Sequence, residues 1–202
     1  MPLALVPLGA YLWALGVLAV LVIAGAYTDV RRGKILNALT YPAVAIGLIG
    51  HTVTGGMNGT ALSPLGLLGS LAGLAAGFLP LLLVWRAGGI GGGDAKLMGA
   101  VGALTGWKFT LAAMFYGFFV AALMAIAVMI RARIVRRTLG RIWRFLCLAM
   151  VKARPADPAS PDSPKIPFGL ALCIGTALHL VDYLFGGPVT QRLMGAGPGF
   201  GM

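Results

Sequence analysis

The chain is predicted to be all-α, a polytopic membrane bundle of six transmembrane helices, on three observations. Its 202 residues are 59% hydrophobic and only 10% charged, with a mean hydropathy of +0.92, too apolar for a soluble domain with an aqueous surface to cover. Several apolar runs reach the roughly 20 residues that a helix needs to cross the hydrocarbon, and they lack the strict alternation of an outer-membrane barrel strand. The basic residues, which give a net charge of +11, cluster between those runs, as orientation signals do. That placement points to anionic lipid headgroups as their partner and away from nucleic acid.

Apolar runs bounded by charges or turn residues put the spans near 4–28, 35–54, 62–85, 95–106, 108–130 and 166–185. The first starts without a basic leader region and has no small-residue cleavage site before the charges that follow, so it reads as a retained span. The third carries Gly69, Gly73 and Gly77 at four-residue spacing, a stripe that admits another helix at close range. The fourth rises only about 18 Å, against a hydrocarbon thickness of about 30 Å, so length alone does not make it a span. Charge decides. Of the 16 Lys and Arg residues, all but Lys108 and Arg192 fall in three groups: Arg31, Arg32 and Lys34; Arg86 and Lys96; and the run from Arg131 to Lys165. Keeping all three groups in the cytoplasm requires an even number of crossings between residues 96 and 131, so the short segment crosses and both termini lie outside. Its cytoplasmic end, where Asp94 sits, is then recessed in a dent that water enters.

Between spans five and six, residues 131–152 set most of their arginines on one helical arc, with Ile134, Ile142, Trp143, Leu146 and Met150 largely opposite. This reads as an interfacial helix on the inner leaflet or a basic extension of span five. A proline-rich linker from Pro155 to Pro164 follows. The chain is thus expected to be a single membrane-embedded domain over 1–202, with 131–165 as its cytoplasmic insertion. Cys147 and Cys173 lie in different segments with no CxxC spacing, which supports neither a zinc site nor a disulfide, and no metal or cofactor is expected.

The chemistry is legible in the acids, which number five and are all aspartate. Asp157 and Asp162 lie in the linker, where solvation accounts for them, and Asp182 lies on the outer side. Asp29 and Asp94 sit at the cytoplasmic mouths of apolar segments, where a carboxylate usually lines a cavity or has a partner. Each has an ordinary explanation. Asp29 could be a boundary residue drawn to Arg31 and Arg32, and Asp94 a helix N-cap after the glycines. Together they have another. Two carboxylates about 4 Å apart at an effective dielectric near 20 repel by roughly 4 kcal/mol, ample to keep one protonated at neutral pH. The result is one acid beside one base, the arrangement by which aspartic proteases activate water and protonate the leaving nitrogen. Which aspartate is the base stays open, because the pair shares its proton. Gly91, Gly92 and Gly93 make the backbone before Asp94 flexible and bare, suited to admitting water and an extended peptide. His51, in or beside the first outer loop, and His179, toward the outer end of span six, are too far away to act as a base and read as interface or packing residues.

At these residues a family resemblance enters. The stretch from Asp29 through Arg31, Arg32 and Lys34 to Asn37, then Gly91-Gly92-Gly93-Asp94-Ala95-Lys96-Leu97, and finally Ile166-Pro167-Phe168-Gly169, resemble in order the three signature stretches of the prepilin peptidases, membrane aspartyl proteases of the GxGD type. The six-span order is similar as well, so the likeness covers nearly the whole chain. The resemblance implies an endopeptidase of the cytoplasmic (inner) membrane that removes the basic leader from type IV pilin-like precursors at the cytoplasmic face. It implies Asp29 and Asp94 as the catalytic pair, with Lys96 and Asn37 as supporting groups near the site. Gly91 to Gly93, Pro167 and Phe168 are candidates for contact with substrate; Pro167 and Phe168 read equally well as a helix start with proline in its first turn. Leu36 stands where the family often has proline. Long members of the family carry a zinc-binding, methylating domain between the first two spans. Only about seven residues join those spans here. The chain therefore resembles the short, protease-only form of tight-adherence pilus systems and archaeal preflagellin peptidases, for which no methyl donor is expected.

Two other classes fit the same residues. A proton- or ion-coupled transporter also uses intramembrane carboxylates and broken helices, but no internal repeat sets matching acids in two halves. A noncatalytic pilus assembly or lipid-binding protein would rest its function on the arginine-rich segment. A presenilin-like protease would carry Tyr-Asp within a span and a Pro-Ala-Leu motif; here Tyr27-Thr28-Asp29 stands at a span end and that motif is absent.

Overall fold

A computed structural model describes residues 8–60, 65–133, 135–136, 140, 143 and 167–184. Among the described residues are six α-helices and no strand: α1 (Leu8–Arg32), α2 (Asn37–Gly55), α3 (Gly66–Arg86), α4 (Gly92–Thr105), α5 (Trp107–Arg131) and α6 (Phe168–Leu184). Among the described residues three stretches are long and apolar enough to cross a membrane, Leu12–Arg32, Gly66–Arg86 and Trp107–Arg131. The chain divides into two compact units, residues 1–120 with 167–202, and residues 121–166. The first contains α1 to α4, the start of α5, and α6. Of the second, the description covers the end of α5 and the turn after it, where Arg133 takes a φ of 55°. The basic helix and proline-rich linker expected over 131–165 lie almost wholly outside the described residues, as does Cys147.

Helix α1 runs beyond the expected boundary at residue 28. Thr28 turns its hydroxyl back onto the Gly25 carbonyl (3.1 Å), so the polar Thr-Asp step does not interrupt the helix. Gly33 ends it: its φ of 60° is a left-handed conformation that costs glycine little, and its N–H donates to the Asp29 carbonyl at 2.8 Å. Asp29 therefore belongs to the last turn of a helix, and residues 33–36 alone join α1 to α2, a shorter connection than the sequence suggests.

Helix α4 is buried at Asp94, Ala95 and from Leu97 through Leu104. Because lipid tails are as apolar as leucine, a buried helix in a membrane is held by close packing and hydrogen bonds more than by apolar burial. Both are present. A Cβ at Gly73 would strike the Gly102 carbonyl, and one at Gly77 would strike the Met98 carbonyl, so α3 and α4 touch main chain to main chain. Gly69 stands apart from this contact, since its Cβ would meet only Leu65 at 3.1 Å; the buried face of α3 is Gly66, Ser70, Gly73, Gly77 and Leu81.

The C-terminal carbonyls of α4, which have no partner within the helix, are bonded from outside it. Ser70 Oγ donates to the Ala103 carbonyl at 2.6 Å, and His51 Nε2 donates to the Leu104 carbonyl at 2.9 Å. His51 is thus not a loop residue. Helix α2 continues to Gly55, where Gly56 at φ 61° stops it, and this carries His51 into the interior against Trp13. With 14 residues, α4 spans about 21 Å.

The start of α5 meets α6 through another small-residue contact, Gly117 against Gly175. His179 is buried there with its ring 4.4 Å from that of Phe109, and Tyr116 Oη donates to Asp182 Oδ2 at 3.2 Å.

Candidate active site

Asp94 is positioned by the start of α4. Gly91 is the N-cap, with φ −75° and ψ 143°, and Gly92 and Gly93 are already helical. The expected flexible glycine loop is therefore an ordered helix start. What the missing side chains provide is proximity: a Cβ on Gly92 would lie 3.2 Å from Trp85 Nε1, and one on Gly93 3.2 Å from Ile35 Cβ. Asp94 occupies the third helical position, not the N-cap. Its Oδ2 accepts the Gly91 N–H at 3.2 Å, which ties down one carboxyl oxygen. Oδ1 points elsewhere.

Asp29 approaches from α1. Its Oδ2 accepts the backbone N–H of Leu170 at 2.7 Å. Leu170 is in the first turn of α6, whose N–H groups lack partners within their own helix and whose positive dipole end favours a carboxylate. The Pro167 carbonyl accepts the Ala171 N–H at 3.3 Å, so Pro167 caps α6 from just before it and does not lie within the first turn as the sequence suggests. Phe168, the first residue of the helix, sets its ring 5.9 Å from that of Phe118.

The two acids meet at Gly169. A Cβ there would lie 2.8 Å from Asp94 Oδ1 and 3.0 Å from the Asp29 carboxyl carbon, which caps the separation of those two atoms at about 6 Å, within the range over which one carboxyl affects the other. Both residues are buried, Asp29 at 6% and Asp94 at 7% exposure. Neither has a basic partner among the described residues. Arg31 instead sets its guanidinium 5.2 Å from the Tyr27 ring centroid.

Lys96 and Asn37 are brought together, but not onto the carboxylates. Lys96 Nζ donates to Asn37 Oδ1 at 2.9 Å and to Tyr41 Oη at 3.1 Å, and lies 5.1 Å from the Tyr41 ring centroid. This clamp ties the start of α4 to the start of α2; Ile35, between α1 and α2, packs on Gly93, and its Cδ1 would lie 2.8 Å from a Cβ on Gly169. Sequence reasoning did not single out Ile35, Tyr41, Gly169 or the Leu170 amide. Ile35 and Gly169 carried a signal, the first lying within the first motif stretch and the second ending the third. A backbone amide carries none. Among the described residues no group of three or more His, Cys, Asp or Glu could hold a metal.

A multi-pass membrane protein with a buried carboxylate pair is the class that this fold and site define. The chain belongs to the type IV leader peptidase family, whose model matches residues 16–126, a stretch that includes Asp29 and Asp94. It is 38% identical over 72 residues to the prepilin leader peptidase/N-methyltransferase of Bacillus subtilis strain 168. That alignment takes in 36% of this chain and 28% of the relative, little more than a quarter of its length. No solved structure matches the chain significantly.

Proposed function

We propose that the chain is a membrane-embedded aspartic endopeptidase that removes the basic leader peptide from type IV pilin-like precursors at the cytoplasmic face of the inner membrane, with Asp29 and Asp94 as its catalytic pair. The observation that carries this reading is the convergence of the two carboxyl groups on Gly169. Family membership supports the substrate class.

In the proposed reaction the pair holds one proton between its two members. The ionised carboxylate takes a proton from water as the water oxygen bonds to the scissile carbonyl carbon and the carbonyl π pair moves to its oxygen, giving a tetrahedral oxyanion. The protonated carboxyl then gives its proton to the leaving nitrogen as the C–N bond breaks. The proton taken from water remains on the first carboxyl, so the pair again holds one. The Leu170 amide holds the Asp29 carboxylate in place. Gly92 and Gly93 let Trp85 and Ile35 close around the start of α4, the Lys96–Asn37 clamp fixes that start against α2, and Pro167 and Phe168 set where α6 enters.

The proposed topology has six crossings, both termini outside and a single peptidase domain, with α4 crossing a locally thinned bilayer and residues 131–165 lying on anionic headgroups of the inner leaflet. The test is cleavage of a purified prepilin by the wild type, Asp29→Asn and Asp94→Asn, with folding followed separately by thermal unfolding. Normal processing by either variant removes the dyad. Labelling of Cys147 from the outer side alone would overturn the orientation.

A further inference from the structure

We propose that Ile35 limits the size of the precursor side chain that stands beside the scissile bond. The inference rests on the aspartic peptidase reading and deepens it, because it assigns selectivity at the place where the acids meet.

Ile35 is 8% exposed, although it belongs to the short connection between α1 and α2 and its neighbours Gly33 and Lys34 are exposed. Two glycines make that burial possible. Ile35 Cβ would lie 3.2 Å from a Cβ on Gly93, in the first turn of α4, and Ile35 Cδ1 2.8 Å from a Cβ on Gly169, in the first turn of α6. One aliphatic side chain is thus wedged between the helix start that carries Asp94 and the helix start that holds Asp29.

The wedge reaches the acids. Ile35 Cδ1, Asp94 Oδ1 and the Asp29 carboxyl carbon lie within 3.0 Å of one point, the Cβ position of residue 169, so that methyl group is no more than about 6 Å from either carboxyl. A peptide bond must come within hydrogen-bond reach of the pair to be cleaved, since proton transfer needs heavy atoms about 2.6–3.2 Å apart. Any opening that uncovers the acids, 6% and 7% exposed, therefore brings the residues flanking that bond up to Ile35. In an extended peptide successive side chains point to opposite faces, so one flanking residue meets the isoleucine and the other points away. The wall is aliphatic and backed by main chain at both glycines, so it yields little to a bulky or charged group. The precursor that fits carries a small, uncharged residue at that one position.

The experiment measures kcat/KM in detergent for the wild type, Ile35→Val and Ile35→Ala on purified precursors that carry alanine, valine or leucine at each flanking position in turn. The cleavage position is read by mass, thermal unfolding of each variant is followed, and Asp29→Asn and Asp94→Asn are run alongside. At one of the two positions the wild type is expected to cleave the leucine precursor at least about 10-fold less well than the alanine one, since a single methylene in an apolar pocket is worth about 10–200-fold. Ile35→Ala is expected to narrow that gap by about 10-fold or more and Ile35→Val to narrow it part of the way, with the other position unchanged. Equal cleavage of alanine and leucine precursors by the wild type at both positions would overturn the proposal. So would a leucine-to-alanine ratio in both variants within about twofold of the wild-type ratio, because an isoleucine that serves packing alone slows every precursor alike. Failure of both variants to fold would assign Ile35 to packing and overturn it as well. If the aspartate variants are inactive while the ratio stays fixed, this inference alone falls. If the aspartate variants cleave normally, the peptidase reading falls first.

Discussion

The two ends of α4 treat their polar groups in opposite ways. At the C-terminal end, buried carbonyls of Ala103 and Leu104 are each bonded by a side chain from a neighbouring helix, Ser70 and His51. At the N-terminal end, Asp94 is buried beside a second acid, and neither has a basic partner among the described residues. A helix built only for stability would be closed at both ends, because unpaired buried charge is costly. The contrast teaches that polar groups at the far end serve the fold and those at the near end are held in spite of it.

Exchanging functions between the ends would break this comparison. The largest expected effect is at the acids. Asp29→Asn and Asp94→Asn should each lower kcat/KM by at least about 1000-fold while leaving the unfolding temperature no lower than in the wild type, since a neutral amide replaces a buried group that shares an uncompensated charge. Cleavage by the wild type should follow a bell-shaped pH profile, falling at low pH as a second proton binds the pair and at high pH as the shared proton is lost. A profile flat across both limbs would count against the shared proton.

Ser70→Ala and His51→Ala should do the reverse. Each should cost about 1–3 kcal/mol in unfolding measurements, because a buried carbonyl loses its donor, while turnover per folded molecule stays close to wild type. Loss of turnover without loss of stability would erase the distinction between the ends. Lys96→Met should sharpen it with a smaller effect, about 1 kcal/mol of stability and a several-fold fall in turnover, since the half-exposed clamp positions α4 without touching the carboxylates. Tyr116→Phe, remote from the acids, should cost about 0.5–1 kcal/mol and leave turnover unchanged.

The acids were legible in the sequence because they are scarce. In a chain with five acidic residues, two at the mouths of apolar runs stand out on solvation grounds alone. The helices were legible from apolar runs, but their ends were not. Thr28 and Asp29 look like a boundary, yet the hydroxyl of Thr28 bonds within the helix and the chain turns only at Gly33. Likewise Gly91-Gly92-Gly93 looks like a loop, although neighbours packed on two of those glycines hold them helical. His51 reads from the sequence as an interface or packing residue and is one, but its partner, a carbonyl 53 residues away, is not legible there. The meeting of Asp29 with Leu170, 141 residues apart, depends on a backbone amide that no residue type announces.

The contact of α3 with α4 has a mechanical corollary. At Gly73 with Gly102 and at Gly77 with Met98 there is no rotamer between the two main chains that could yield, so the pair moves as one stiff plank and Asp94 travels only with it. Asp29, by contrast, sits on α1 and is held by the Leu170 amide of α6, so its carboxyl is set by a different pair of helices. A change in the separation of the two acids is therefore a movement of α1 or α6 against that plank, with Asp94 as its fixed point.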